Sequence, residues 1–165
     1  MTEITIHRFR AGEGDLLGQL FHRSVHEGTV RAYDAAQRAA WSPQPPSGPD
    51  WEARLTGAVT LVAWAGKVPA GFMTLDPETG YLDLAFVAPE WQGHGVAAML
   101  YGLLERCARR HGLAQLSTDA SELARPFFLR QGWQDGPRQK VERHGVTLHN
   151  YPMAKSLKPA LERAA

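Results

Sequence analysis

The residues with the most chemical potential lie between positions 83 and 97. An apolar run, Tyr81-Leu-Asp-Leu-Ala-Phe-Val87, leads into Ala88-Pro-Glu-Trp-Gln-Gly-His-Gly95, and a helical pattern begins near Gly95. Gly93 and Gly95 let the backbone turn tightly and approach a ligand without a Cβ in the way. The first N–H groups of a helix lack an intrahelical partner, and the helix dipole favours negative charge there. Such a loop is an anion site suited to a phosphate or pyrophosphate. Two glycines alone also fit a plain tight turn. Other phosphate loops fit badly: no Gly-x-x-x-x-Gly-Lys-Ser/Thr is present, and the third glycine of a dinucleotide fingerprint is missing.

Asp83 is an acid inside an otherwise apolar strand. Strict alternation puts it on the face of Tyr81, Ala85 and Val87, opposite Leu82, Leu84 and Phe86. It is a candidate general base, and a partly exposed position or a structural salt bridge is the competing reading. His26, beside Glu27 on an early helix, is a second candidate base; a lone histidine there is more often a surface or capping residue. Cys107 is the only cysteine, so no intrachain disulfide forms, and it reads as a buried structural thiol. No metal site is expected.

Composition narrows the class. Lys and Arg number 18 against 17 Asp and Glu, a formal net charge of +1, without the basic excess of a nucleic-acid binder. The cluster Arg106, Arg109, Arg110 and His111 reads as a helix C-terminus, where cations favour the dipole. The segment MTEITIHRFR alternates and carries charge, unlike a signal peptide. No apolar run approaches the roughly 18 residues of a membrane span, so a cytoplasmic protein without membrane contact is expected.

The elements that must position these groups follow from periodicity. Ile4, Ile6 and Phe9 mark a first strand. Asp15 is placed to cap a helix from Leu16, with Leu16, Leu17, Leu20, Phe21 and Val25 on one side. A second helical stretch runs from Ser24 or Thr29 to Trp41. Four prolines make 42–50 an irregular surface loop. Strands follow at Thr60–Ala65, Val68–Leu75 and Tyr81–Val87, then a helix from Gly95 to about His111, stopped by Gly112. Leu113–Thr118 reads as a strand, Glu122–Gln131 as a helix, and Val141–Arg143 with Val146–Met153 as a closing hairpin. Hairpins on either side of one β–α–β crossover argue an α/β domain with a mixed sheet.

The string Gln92-Gly93-His94-Gly95-Val96-Ala97, preceded by Val87-Ala88-Pro89 and Trp91, resembles the Gln/Arg-x-x-Gly-x-Gly/Ala pattern of GNAT acetyltransferases. Ala124–Trp133 resembles that family's short helix ending in Gly-Phe or Gly-Trp, and the closing hairpin with Met153 is also similar. The resemblance covers essentially the whole chain. It implies a single domain over 1–165, with a core of about 4–156 and a mixed, mostly antiparallel sheet flanked by helices on both faces.

It further implies transfer of an acetyl group from acetyl-coenzyme A to a primary amine of a small molecule or peptide, by direct attack. On this resemblance Phe86 and Val87 contact the pantetheine, while Gln92, Gly93, His94, Gly95, Val96 and Ala97 hold the pyrophosphate. A carboxylate in the Asp83 strand is common in the family. One departure is Phe128, which stands where a Tyr often protonates the leaving thiolate and cannot donate a proton; it is left to flank the coenzyme. Ser121 is a substitute donor to the sulfur, or simply an N-cap. The first two helices of such folds line the acceptor pocket, which draws in His26 and the stripe Tyr33, Gln37 and Trp41, otherwise read as core. The missing Tyr favours a non-catalytic acyl-coenzyme A sensor as the competing class. A protein-modifying acetyltransferase, and association into a homodimer, are left open.

Overall fold

The computed structural model describes residues 2–158. Its strands are β1 (Ile4–Arg8), β2 (Val59–Ala65), β3 (Val68–Leu75), β4 (Tyr81–Val87), β5 (Gln115–Ser121), β6 (Gln134–Asp135), β7 (Gln139–Arg143) and β8 (Val146–Ser156). The helices are α1 (Gly14–Gly28), α2 (Ala35–Trp41), α3 (Pro49–Thr56), α4 (Val96–Arg110) and α5 (Ala124–Arg130). One sheet runs in the order β1-β2-β3-β4-β5-β8-β6, with β7 also on β8. Every pairing is antiparallel except β4 with β5. The mixed, mostly antiparallel sheet expected from the sequence is therefore present.

Two apolar clusters cover the two faces. Beneath α4 and α5, the sheet residues Leu61, Met73, Leu75, Leu82 and Leu116 bury against Val96, Leu100, Leu104 and Phe128. On the other face, Val62, Phe72 and Leu84 bury against Leu17 and Leu20 of α1 and Trp51 and Leu55 of α3. Burial of this kind contributes about 25 cal/mol per Å² of apolar surface, so these two layers dominate the fold's stability.

Several local expectations change. Asp15 caps nothing; Glu52 of α3 reaches back and accepts the Gly14 amide at 2.8 Å, so a distant residue satisfies the start of α1. Leu16 is 47% exposed, because the buried stripe is Leu17, Leu20, Ser24 and Val25. The second helix is short: residues 29–34 form turns, and Asp34 caps α2 through a capping box with Gln37. Helix α3 was absent from the expected order, although Pro49 at its first turn, Asp50 and Glu52 behind it, and Trp51 with Leu55 four apart are all helix signals. The proline-rich segment is packed, not merely a surface loop: a Cβ at Gly18 would collide with the Pro46 carbonyl. Strand β5 continues to Ser121, beyond Thr118, and the short β6 is additional.

Strand β4 also departs from strict alternation. Met73 pairs with Ala85 but Leu75 pairs with Leu82, so β4 carries one extra residue in a bulge. The Thr74 hydroxyl accepts the Leu84 amide there at 3.0 Å. Leu82 consequently sits beneath α4 with Ala85 and Val87, while Leu84 and Phe86 belong to the opposite cluster. Asp83 pairs with Arg54 of α3, on the α3 side of the sheet and not on the Val87 face.

Candidate active site

The site is built where two neighbouring strands part. β4 and β5 pair only at Tyr81↔Ser117 and Leu82↔Thr118. Beyond that point β4 stays with β3 as far as Gly71↔Val87, and β5 stays with β8 as far as Ser121↔Asn150. A cleft of about 570 Å³ opens beside the gap, lined by β4, β5, the aromatic residues of the helices and the β7–β8 hairpin.

The backbone of β4 presents amides to this gap. Ala88 donates to Ala70 and Leu84 to Thr74, so even-numbered residues are turned toward β3. Antiparallel alternation then turns the N–H groups of Ala85 and Val87 toward the gap. The Val87 carbonyl is already engaged, by the Ser24 hydroxyl at 2.7 Å and by Gln92 Nε2 at 3.5 Å. Ser24 is a site residue that sequence reasoning missed, because its partner lies 63 positions away.

The loop after β4 is fixed at several points. Trp91 donates to the Ala88 carbonyl, His94 to the Trp91 carbonyl, and Arg23 of α1 pairs with Glu90 at 2.7 Å. Gly95 adopts φ +80° at the start of α4, a left-handed conformation that glycine takes without strain. The helical ladder begins with Met99 donating to the Gly95 carbonyl, which leaves the amides of residues 96–98 without ladder partners. Gln92, Gly93, His94 and Gly95 are exposed, whereas the Val96 side chain is core and only its amide faces the loop. A Cβ at Gly93 or Gly95 would meet nothing within 4 Å, so an open cradle lies over these amides. Anions are held by such an arrangement.

The acetyltransferase (GNAT) domain model matches residues 29–157. The chain belongs to the GNAT acetyltransferase family. Among its relatives is the uncharacterised N-acetyltransferase YafP of Escherichia coli K12, 31% identical over 153 residues, covering 93% of this chain and 96% of YafP. A GCN5-related N-acetyltransferase structure from Rhodopseudomonas palustris superimposes with a TM-score of 0.86 at 30% identity, over 95% of this chain and 98% of that one. The PaiA N-acetyltransferase of Thermoplasma acidophilum, solved in complex with coenzyme A, shares the fold at a TM-score of 0.70 and 15% identity, over 93% and 99% of the chains.

Within this GNAT cleft the expected site residues are distributed unevenly. Asp83 lines the cleft with its Oδ2 on Arg54 Nε at 2.7 Å; both side chains are partly exposed. Asp119, not singled out from sequence, lines it too and accepts from Tyr81 and Gln139 at 2.7 and 3.0 Å. Phe86 contributes to an aromatic wall with Phe21, at 4.5 Å between centroids, and Trp41, at 6.1 Å. Tyr33 and Trp41 are in ring contact at 5.2 Å, but not as one helical face, since Tyr33 precedes α2. Gln37 leaves the stripe to serve the capping box and the Thr147 carbonyl.

His26 does not line the cleft. Its Nε2 donates to the Ser42 carbonyl at 2.7 Å, while His22 Nδ1 meets the Ser42 hydroxyl at 2.7 Å. Burial and the adjacent His26 ring push His22 below its ordinary value. Both histidines therefore reach the cleft only through Ser42, which lines it. Ser121 accepts the Ala124 amide at 3.1 Å at the entry to α5, whose N-cap is Leu123 and not Ser121. Phe128 is 2% exposed, in ring contact with Trp133 and Tyr101. Cys107 is half-buried against the α4 cluster, and Arg109 and Arg110 occupy the last turn of α4. Among the described residues there is no group of three or more metal-ligating side chains, and no helix is long and apolar enough to cross a membrane.

Proposed function

We propose that this protein transfers the acetyl group of acetyl-coenzyme A to a primary amine of a small molecule or peptide, by direct attack in a ternary complex. The observation that carries this reading is the parting of β4 from β5 beside a loop of unpartnered amides. Gln92–Ala97 take the pyrophosphate, through the loop amides other than that of His94, which is held by the Trp91 carbonyl. The N–H groups of Ala85 and Val87 take the pantetheine and the thioester carbonyl, the latter as an oxyanion donor. The Val87 carbonyl is an acceptor and is already held by the Ser24 hydroxyl, so only N–H groups of this strand edge serve the oxyanion.

On the acceptor side, Phe21, Trp41 and Phe86 form an aromatic face against which an amine-bearing substrate packs, whether apolar or cationic. Asp83 is the candidate for removing the amine's proton or ordering the water that does. Its Oδ2 is on Arg54, and among the described residues no hydrogen bond engages its Oδ1. Phe128 supports the coenzyme side only through packing. The test is a thiol-release screen with acetyl-coenzyme A across small amines, amino acids, aminoglycosides and peptides. Acceptor-dependent thiol release is expected with at least one class. Coenzyme binding without release in any class supports the acyl-coenzyme A sensor instead.

A further inference from the structure

The departing thiolate needs a proton, and Phe128 has none to give. Five hydroxyl side chains line the cleft: Tyr33, Ser42, Tyr81, Thr118 and Ser121. Three are committed. Tyr81 donates to Asp119 at 2.7 Å, Thr118 to the Leu82 carbonyl at 2.7 Å, and Ser42 is shared between His22 and the Gln44 carbonyl. Tyr33 and Ser121 remain, and the Ser121 hydroxyl is close enough to act on the Tyr33 phenol.

Tyr33 is held in an unusual way for a buried phenol. The Glu122 amide, immediately after β5, donates to its oxygen at 2.8 Å. Its own hydrogen goes to His149 O at 3.5 Å, the outer limit of a hydrogen bond. The oxygen is therefore fixed while the proton is weakly engaged. An N–H aimed at the oxygen also stabilises the phenolate left after proton transfer. Only 4% of the residue is exposed, so bulk water does not compete for the proton. Ser121 stands at the end of β5, where that strand has left β4, which carries the hydroxyl pair to the edge of the gap.

We infer that Tyr33, brought in from the α1–α2 connection, is the catalytic proton donor to the leaving sulfur, with Ser121 steering its hydroxyl. This rests on the acetyltransferase reading above. In the step, the amine nitrogen bonds to the acetyl carbon and the C–S bond breaks. The sulfur takes the phenol proton to give the free thiol. The amine's surplus proton leaves to base or water, and the phenolate regains one from solvent, so Tyr33 ends unchanged. Burial pushes this phenol above its ordinary value and keeps it protonated at neutral pH, the form a donor requires.

Three measurements test it. Tyr33→Phe should lower kcat with acetyl-coenzyme A by about 10²-fold while its KM changes little. Acetyl-seleno-coenzyme A, whose leaving selenolate needs no proton, should restore the variant to within a few-fold of wild type. Equal losses with both donors would assign Tyr33 a structural role and overturn the inference. So would an unimpaired kcat.

Should Tyr33→Phe fold poorly, replacing Tyr33 by 3,5-difluorotyrosine keeps the hydroxyl and makes it more acidic. A basic limb in kcat is then expected at a lower pH than any in wild type. The charged and titratable groups around the phenol are Glu122, paired with Arg138; Tyr151, under the Arg125 guanidinium; and Arg38 of α2, on the Tyr33 carbonyl. The fluorine resonances supply a readout apart from turnover: they should shift on adding coenzyme A and much less with desulfo-coenzyme A. The same shift with both ligands, or no new limb, contradicts the inference. A wild type that releases no thiol with any amine defeats the acetyltransferase reading itself. An active wild type matched by Tyr33→Phe defeats only the proton-donor assignment.

Discussion

Thr118 Oγ1 donates a 2.7 Å hydrogen bond to the Leu82 carbonyl at the last position where β4 and β5 still pair. Both residues are buried, Thr118 at 8% and Leu82 at 1% exposure. The bond ties the two strands at the root of the cleft before they diverge. Thr118→Val keeps the shape but leaves the Leu82 carbonyl without that donor. A loss of about 1–3 kcal/mol is expected in urea unfolding. A variant as stable as wild type would show that the strands are held apart and together by other contacts.

Gly95 is tested by two substitutions with different consequences. Gly95→Ala meets no neighbour, so its cost is only that of forcing φ +80° on an L side chain, about 1–2 kcal/mol. Gly95→Glu adds a carboxylate over the amides that take the pyrophosphate. Calorimetry should show coenzyme affinity falling far more for Gly95→Glu than for Gly95→Ala, with both proteins folded. Equal affinities would remove the loop from the coenzyme site.

Asp83 separates chemistry from packing by magnitude. Its ion pair with Arg54 is partly exposed, at 39% and 49% for the two side chains. Such a pair contributes at most about 1 kcal/mol. Asp83→Asn should therefore barely change the melting temperature, yet lower kcat by about 10²-fold if the carboxylate handles the amine's proton. The acidic limb of the pH profile should move or vanish with it, at unchanged coenzyme affinity. Full turnover in Asp83→Asn would leave a water relay as the base.

Glu105 predicts a pH dependence of stability. Burial alone would raise its carboxyl, but Lys155 at 2.7 Å and the Tyr101 hydroxyl at 2.8 Å outweigh this and hold it below the usual carboxylate range. A carboxyl depressed in the folded state stabilises the protein above its unfolded pKa, and that contribution disappears as pH falls through the folded value. Glu105→Gln should be less stable than wild type at pH 7, by about 1.5–3 kcal/mol. The gap should close in acid. A constant difference across pH would show that packing, not ionisation, sets it.

The sequence spoke clearly wherever the signal was local. Strands β3 and β4 are bounded as the period-two pattern placed them, α4 starts at the glycine loop, and Gly112 and Gly132 end helices. Reading failed where a distant partner decides. The cap of α1 comes from Glu52, the bulge of β4 is fixed by Thr74, and Tyr33 meets Glu122 across 89 positions. The bulge mattered most for the site, since one extra residue moved Asp83 to the side of Arg54. Helix α3 is hidden for a different reason: the prolines before it read as a loop, though Pro49 is itself a good first-turn residue.

The loop before α4, with the open edge of β4, is proposed to receive acetyl-coenzyme A. This is tested most directly by following the melting temperature as acetyl-coenzyme A is titrated in. A ligand that binds only the native state at about 100 times its Kd adds about 2.7 kcal/mol. For a chain of this size that is a rise of roughly 5–10 °C. Wild type should show this rise and Gly95→Glu should lose it. A flat melting temperature in folded wild-type protein at millimolar acetyl-coenzyme A would contradict the proposal.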